Sequence, residues 1–239
     1  MTDMVGLSPE ELRKLRLSRQ ADIIPDASDL SILFVGVGGI GSNAVAMAVS
    51  MGFSNITLID PDNVANENVY PGSFSDLHIG MNKAEAVVKD VTSRYGIPEG
   101  SGIVWKPTRY DSSRVGEYNI VVISTDNIPS RRLVWLEQEI ICPSGHWIDA
   151  RMGGYLSTVI TLDVTNPIAV KTYNEFIMTE EAGSLPCGEK ATAPLTKGFI
   201  AGMIGQSLER ILTGKPALYT QRYDLGMALH LTVETEKLT

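Results

Sequence analysis

Apolar residues along this chain cluster with two different periods. Short unbroken apolar runs occur at Ser31–Gly36, Asn55–Asp60 and Asn119–Ser124, as expected of strands buried on both faces. Helical spacing lies between them. Ile40–Met51 is small and apolar throughout, and Asn82–Tyr95 sets Ala84, Val87, Val88 and Val91 on one side. Both predict helices packed on a sheet. Gly102–Lys106 predicts another strand, and Arg131–Cys142 a helix stopped by Pro143. Residues 146–163 have strand character broken by Met152-Gly153-Gly154, which predicts a hairpin or a bent strand. Gly198–Leu212 reads as a helix closed by Gly214-Lys215-Pro216, and Leu218–Glu236 as two β-like runs around Leu225-Gly226-Met227.

At the start, Ser8-Pro9-Glu10-Glu11 is a capping box with proline in the first helical position, predicting a helix to about Gln20 and a loop after it. Residues 179–197 are rich in Gly, Pro and charge and predict an exposed loop. Strand, glycine turn, helix and strand within residues 31–60 form a βαβ unit, so the class is α/β.

Composition narrows what such a domain does. With 239 residues, 44% of them hydrophobic and 20% charged, the chain has the balance of a soluble globular protein. A formal net charge of −8 repels polyanions, which makes nucleic acid an unfavoured partner. Cys142 and Cys187 lie far apart without CxxC spacing, which disfavours a disulfide scaffold or a structural zinc. The N-terminus lacks a basic-then-apolar leader, and no run reaches the ~18 apolar residues of a membrane span. A cytoplasmic protein is expected.

Candidate chemistry begins at VGVGGIGS. Gly36, Gly38 and Gly41 fit GxGxxG, with Gly39 as an extra glycine. The first permits a tight turn, the next let a phosphate approach the backbone, and the last lets the helix pack on its strand. Asp60, ending the second strand, is spaced to accept bonds from a ribose diol. These residues specify an adenosine nucleotide without choosing between a dinucleotide and ATP, so an NAD-binding oxidoreductase stays open. Asp62 and the paired glycines depart from the dehydrogenase pattern.

The wider pattern, GxGGxGS, LIDPDxVxxxN, GxxK, STDN and a cysteine loop before a helix, resembles the ThiF, MoeB and ubiquitin-activating enzyme superfamily. The likeness runs from LSRQ at Arg19 to ERILTGK. It implies a Rossmann-like three-layer fold, its mostly parallel sheet extended by antiparallel strands at the C-terminal side. It also implies one adenylation domain over residues 1–239: helix and linker at 1–29, a nucleotide-binding half at 30–145, and a partner-binding half at 146–239 that contains the Cys187 crossover loop. The implied reaction is attack on the α-phosphorus of ATP by the C-terminal carboxylate of a small ubiquitin-like or sulfur-carrier protein ending in Gly-Gly, giving an acyl-adenylate.

Residue by residue, the resemblance makes Lys83 a clamp on the ATP phosphates. A lysine opening a helix is otherwise repelled by the helix dipole, although a solvated lysine is the simpler alternative. Asp126, after the apolar strand, would hold Mg2+ or merely cap the next helix. Asn68 would bond the phosphate chain. Arg19 would enter the site of a partner subunit, implying a homodimer. Cys187 would accept the acyl group as a thioester, activated by a neighbour such as Lys190. Cys142 reads as core, and Arg131 as either a salt bridge or a ligand contact. The arginine usual after the Asn68 position is absent because Pro71 stands there, leaving Arg109 or Arg114 as substitutes. Rival readings are adenylation of a peptide or tRNA-linked carboxylate without a catalytic cysteine, and an inactive scaffold.

Overall fold

The computed structural model describes residues 7–98, 100–111, 113, 115–180 and 194–233. Helix α1 (Pro9–Leu17) starts on the predicted capping box: the Glu11 N–H donates to Ser8 Oγ at 3.2 Å, and the Ser8 N–H to the Glu11 carboxylate at 2.7 Å. Then come β1 (Ser31–Val35), α2 (Gly41–Ser50), β2 (Asn55–Ile59), α3 (Lys83–Tyr95), β3 (Ile103–Lys106) and β4 (Ile120–Ile123), each within the predicted stretch. The next region departs from expectation. A helix α4 (Ile128–Trp135) begins earlier, because Asn127 accepts the Ser130 N–H at 2.9 Å and Pro129 follows in the first turn. It ends at Leu136, and a short α5 (Gln138–Ile141) replaces the continuous helix expected there.

Residues 146–163 form the hairpin β5 (His146–Gly153) and β6 (Leu156–Asp163). Helix α6 (Pro167–Thr179) was not anticipated, although its start signal is plain: the Asn166 side chain accepts from Ile168 and Ala169 with Pro167 at the first position. Helix α7 (Pro194–Leu212) begins four residues before the expected Gly198, so the loop read at 179–197 is shorter, and its residues 181–193 lie outside the described residues. Strands β7 (Thr220–Asp224) and β8 (Leu229–Val233) close the chain.

One eight-stranded sheet has the order β3-β2-β1-β4-β5-β6-β7-β8. In the sheet, the pairs from β3 across to β5 are parallel and those from β5 to β8 antiparallel, which is the mostly parallel, antiparallel-extended sheet the family resemblance implies. The period-two alternation builds two apolar layers. Ile32, Phe34, Ile120 and Val122 face α2, α3 and α7, whereas Leu33, Val35, Val121 and Ile123 face Val134, Trp135, Ala169, Tyr173 and Ile177 of α4 and α6. Fully burying each aliphatic side chain contributes about 1.5–3 kcal/mol. Exposed ion pairs such as Lys14–Glu10 add little beside this, because water screens them, so the two layers hold the fold.

No helix among the described residues is long and apolar enough to cross a membrane. The chain leaves β1 toward one face, through α2, and leaves neighbouring β4 toward the other, through α4. That reversal opens a crevice beyond the carboxyl ends of β1 and β4, where open α/β sheets bind ligands.

Candidate active site

Sterics fix the corner after β1. Gly36 has φ +89°, and a Cβ there would lie 3.0 Å from the backbone of Ser124 and Thr125, at the end of β4. A Cβ on Gly41 would sit 2.2 Å from the Gly36 carbonyl, so α2 can start this close to β1 only on glycine. Ser124 ties the two strand ends together, its N–H donating to Val35 O at 3.0 Å and its hydroxyl to Gly36 O at 2.7 Å. At Gly38 a Cβ would meet nothing within 4 Å, so the backbone there faces open space. Gly39 packs under Pro71 and Met152 at ordinary contact distance. The first turn of α2 carries no acidic side chain and no side-chain cap. No acidic side chain there opposes an anion at the helix N-terminus.

Asp60 braces this corner from β2. One carboxylate oxygen accepts the Val37 N–H at 2.7 Å and the other the Asp62 N–H at 2.9 Å. Burial pushes its pKa above the usual carboxylate range, against the pull of those bonds and of the Lys83 charge. A carboxylate has about four lone-pair sites, so two remain for a ribose diol.

Asn82 is the residue that sequence reading missed here. Its side-chain oxygen caps α3 by accepting from Ala84 and Glu85, and its amide donates to the Asp60 and Asp62 carbonyls at 2.9 and 3.0 Å. That four-way clamp fixes the start of α3 against the end of β2 and so aims Lys83. The Lys83 ammonium lies 3.0 Å from the Asp62 carboxylate; the lysine side chain is only 14% exposed, whereas Asp62 is 63% exposed.

Gly36, Gly38, Asp60, Asp62, Lys83 and Asp126 all line one cleft of about 320 Å3, with Arg109, Tyr110, Ser124 and Leu133 completing the wall. Its volume is at the small end for ligand clefts. Asp126 is exposed at the rim, and the Asn127 amide donates to it at 2.9 Å. A lysine and an acid therefore line one cleft beside the glycine corner. This pair can neutralise a polyanion that carries a divalent cation.

Other expected residues stand elsewhere. Asn68 is not in the cleft wall, and its side-chain oxygen accepts the Ala65 N–H at 3.0 Å. Arg19 is exposed beyond α1, whose Arg13 and Arg16 donate to the Gly52 and Tyr95 carbonyls at the far ends of α2 and α3. Arg19 accordingly does not reach this chain's own cleft. Cys187, Lys190 and Arg114 lie outside the described residues. Of the two substitute arginines, Arg109 lines the cleft.

Arg131 turns inward. It is buried, pairs with Asp149, and donates to the carbonyls of Thr125 and, at 3.0 Å, Ala150. Asp149 also accepts from Arg151 at 2.6 Å and from the Tyr173 hydroxyl at 2.7 Å. Burial alone would raise the Asp149 carboxyl, but the guanidinium groups of Arg131 and Arg151 outweigh it and hold the pKa below the usual range. The sequence signal for this cluster was Asp149-Ala150-Arg151, two charges two residues apart on one face of an otherwise apolar strand.

Cys142 is fully buried, as expected, and burial, then the nearby Asp163 charge, pushes its thiol up to about 12. Iodoacetamide at pH 8 should therefore leave Cys142 unmodified in the native protein and alkylate it after denaturation, as read by peptide mass spectrometry. Native labelling of Cys142 would contradict this burial.

Known proteins share the fold. Across the described fold, the chain superimposes on E. coli MccB solved with ATP with a TM-score of 0.69, at 16% identity, covering 95% of this chain and 73% of that one. For PaaA the TM-score is 0.71 at 17% identity, covering 98% and 86%. By sequence it is 32% identical over 133 residues to SUMO-activating enzyme subunit 2 of Dictyostelium discoideum, covering 54% of this chain and 20% of that protein. It is 29% identical over 140 residues to the adenylyltransferase and sulfurtransferase MOCS3 of Arabidopsis thaliana, covering 54% and 29%. The chain thus spans less than a third of the length of these curated relatives. The model of the ThiF family matches residues 13–237, and the chain belongs to that family.

Proposed function

We propose that this protein is an ATP-dependent adenylyltransferase that activates the C-terminal carboxylate of a small ubiquitin-like or sulfur-carrier protein. The observation that carries the proposal is the meeting of Lys83 and Asp126 in one cleft over the glycine corner. Family membership and the names of the sequence relatives support it. NAD-dependent hydride transfer gives no role to that pair.

In this reading Asp60 holds the ribose, the phosphates lie along Gly38 and the start of α2, and Lys83 leaves Asp62 to meet the phosphate chain. The acceptor carboxylate oxygen bonds to the α-phosphorus, the bond from that phosphorus to the α,β-bridging oxygen breaks, and pyrophosphate departs. Lys83 neutralises the charge that develops on the leaving group, in the manner of preorganised cationic donors. Among the described residues no group of three or more His, Cys, Asp or Glu could hold a metal. Asp126 would therefore hold Mg2+ jointly with phosphate oxygens, the usual one-carboxylate arrangement, and the ion would add charge neutralisation there. In a second step, the Cys187 thiolate attacks the acyl carbonyl, forming a thioester and releasing AMP.

The remaining expectations belong to the same proposal. The chain acts as one adenylation unit, in the cytoplasm, and as a homodimer in which Arg19 serves the other subunit's cleft. Exchange of labelled pyrophosphate into ATP tests it. Exchange should require a partner ending in Gly-Gly and Mg2+, and Asp126→Asn should lower it about 100-fold. Exchange that persists in Asp126→Asn would count against the site, and exchange with a short peptide in place of the protein would move the substrate to peptides.

A further inference from the structure

Four charged side chains form an unbroken buried row behind the cleft. Arg131 donates to one Asp149 oxygen and Arg151 to the other, through Nη2 at 2.6 Å and Nε at 3.1 Å. Arg151 Nη1 then meets both oxygens of Glu180, Oε2 at 2.5 Å. All four side chains are at most 1% exposed, and their signs alternate. At one end of the row Arg131 grips the carbonyl of Thr125, the residue before Asp126. At the other, Glu180 follows the last turn of α6. A second strap joins the same two places: Arg132, next along α4, donates to the carbonyls of Ile177, at 2.7 Å, and Glu180.

Buried ion pairs seldom add stability over apolar residues of the same size, so stability alone gives the row no evident purpose. What it supplies is direction. The guanidinium of Arg131 that holds the Thr125 carbonyl is itself held by Asp149, which Arg151 and Glu180 brace from behind, and the peptide that follows carries Asp126.

We propose that Glu180 and Arg151 are positioning residues for the Asp126 corner, acting through Asp149 and Arg131 on the Thr125 carbonyl. Neutralising Glu180 leaves Asp149 as the one charged partner of Arg151 among the described residues. Asp149 then rests on a guanidinium no longer fixed from its far side, its own position and its hold on Arg131 loosen, and the peptide from Thr125 to Asn127 gains freedom. The consequence for Mg2+ rests on the nucleotide reading above; the consequence for the backbone does not.

Hydrogen exchange of full-length Glu180→Gln, followed by mass spectrometry, tests the backbone claim. Peptides covering residues 124–131 should exchange about tenfold faster than in the parent protein while those covering β1 and β2 stay protected. An increase spread evenly over the sheet, or none at 124–131, overturns the proposal. Should Glu180→Gln fold poorly, Arg151→Met combined with Glu180→Gln removes one charge of each sign, and the same local rise is expected. A second arm measures the Mg2+ concentration for half-maximal ATP binding, which should rise about tenfold in parallel. A parent protein that binds no Mg-ATP would defeat the functional reading, and hydrogen exchange would still decide the positioning claim.

Discussion

Lys83→Ala should lower pyrophosphate exchange by about 10²–10³-fold while leaving the melting temperature within a few degrees of the parent. The two halves of that expectation have separate causes. Removing one preorganised donor from a developing oxyanion costs about 2.7–4 kcal/mol of transition-state stabilisation. Stability depends on Lys83 far less. Its ion-pair partner among the described residues, Asp62, is 63% exposed, so water solvates that carboxylate once the lysine is gone. The clamp that starts α3 belongs to Asn82, which the substitution does not touch. Exchange assays at saturating ATP, with thermal melts on the same preparation, measure both quantities. A large loss of stability would mean that Lys83 is structural, and unaltered exchange would remove it from the site.

Asp149→Asn should act in the opposite sense, through folding. The substitution leaves Arg131 and Arg151 facing each other in a dry interior without the charge that joins them. Breaking a buried pair in this way costs about 3–5 kcal/mol, a large fraction of the stability of an ordinary domain. The pH dependence has a definite sign. Because the folded-state pKa of Asp149 is held below the ordinary value, its contribution is fully present above the unfolded value of about 3.9 and is lost as pH falls through the folded one. The gap in urea midpoint between parent and Asp149→Asn should be constant from about pH 5 to 8 and narrow below about pH 4. A gap that stays constant in acid would mean that the carboxylate charge is not what stabilises the row.

Legibility in the sequence followed the range of the interaction. The glycine corner was readable because its demands are local: Gly36 needs a left-handed φ, and Gly41 must clear the Gly36 carbonyl five residues back. The unbroken apolar runs of β1, β2 and β4 and the Ser8 capping box are equally local, and both match the structure. The start of α6 is also written locally, in the Asn166 cap and Pro167, but Pro167–Thr179 lies between a predicted hairpin and a predicted loop that leave it unassigned. Arg131 differs in kind. Its partner is 18 residues away, and only the parallel register of β4 on β5, with Ile123 opposite Asp149, brings them together. A sequence shows two charged residues; the sheet makes them a pair. Asn82 was assigned to the predicted helix as one of its residues, yet its work is to join α3 to the Asp60–Asp62 turn 20 and 22 residues earlier. Lys83, Asp126 and Asn68 all came from the family pattern; the first two line one cleft and Asn68 is not in its wall, whereas Arg19 is expected in a partner subunit's cleft and not in this one.

Calorimetric titration with Mg-ATP and, separately, with NAD tests the central claim most directly. If Lys83, Asp126 and the start of α2 form a triphosphate site, Mg-ATP binds more tightly than NAD, and omitting Mg2+ weakens ATP binding at least about tenfold. Tighter binding of NAD, or ATP binding indifferent to Mg2+, would contradict it.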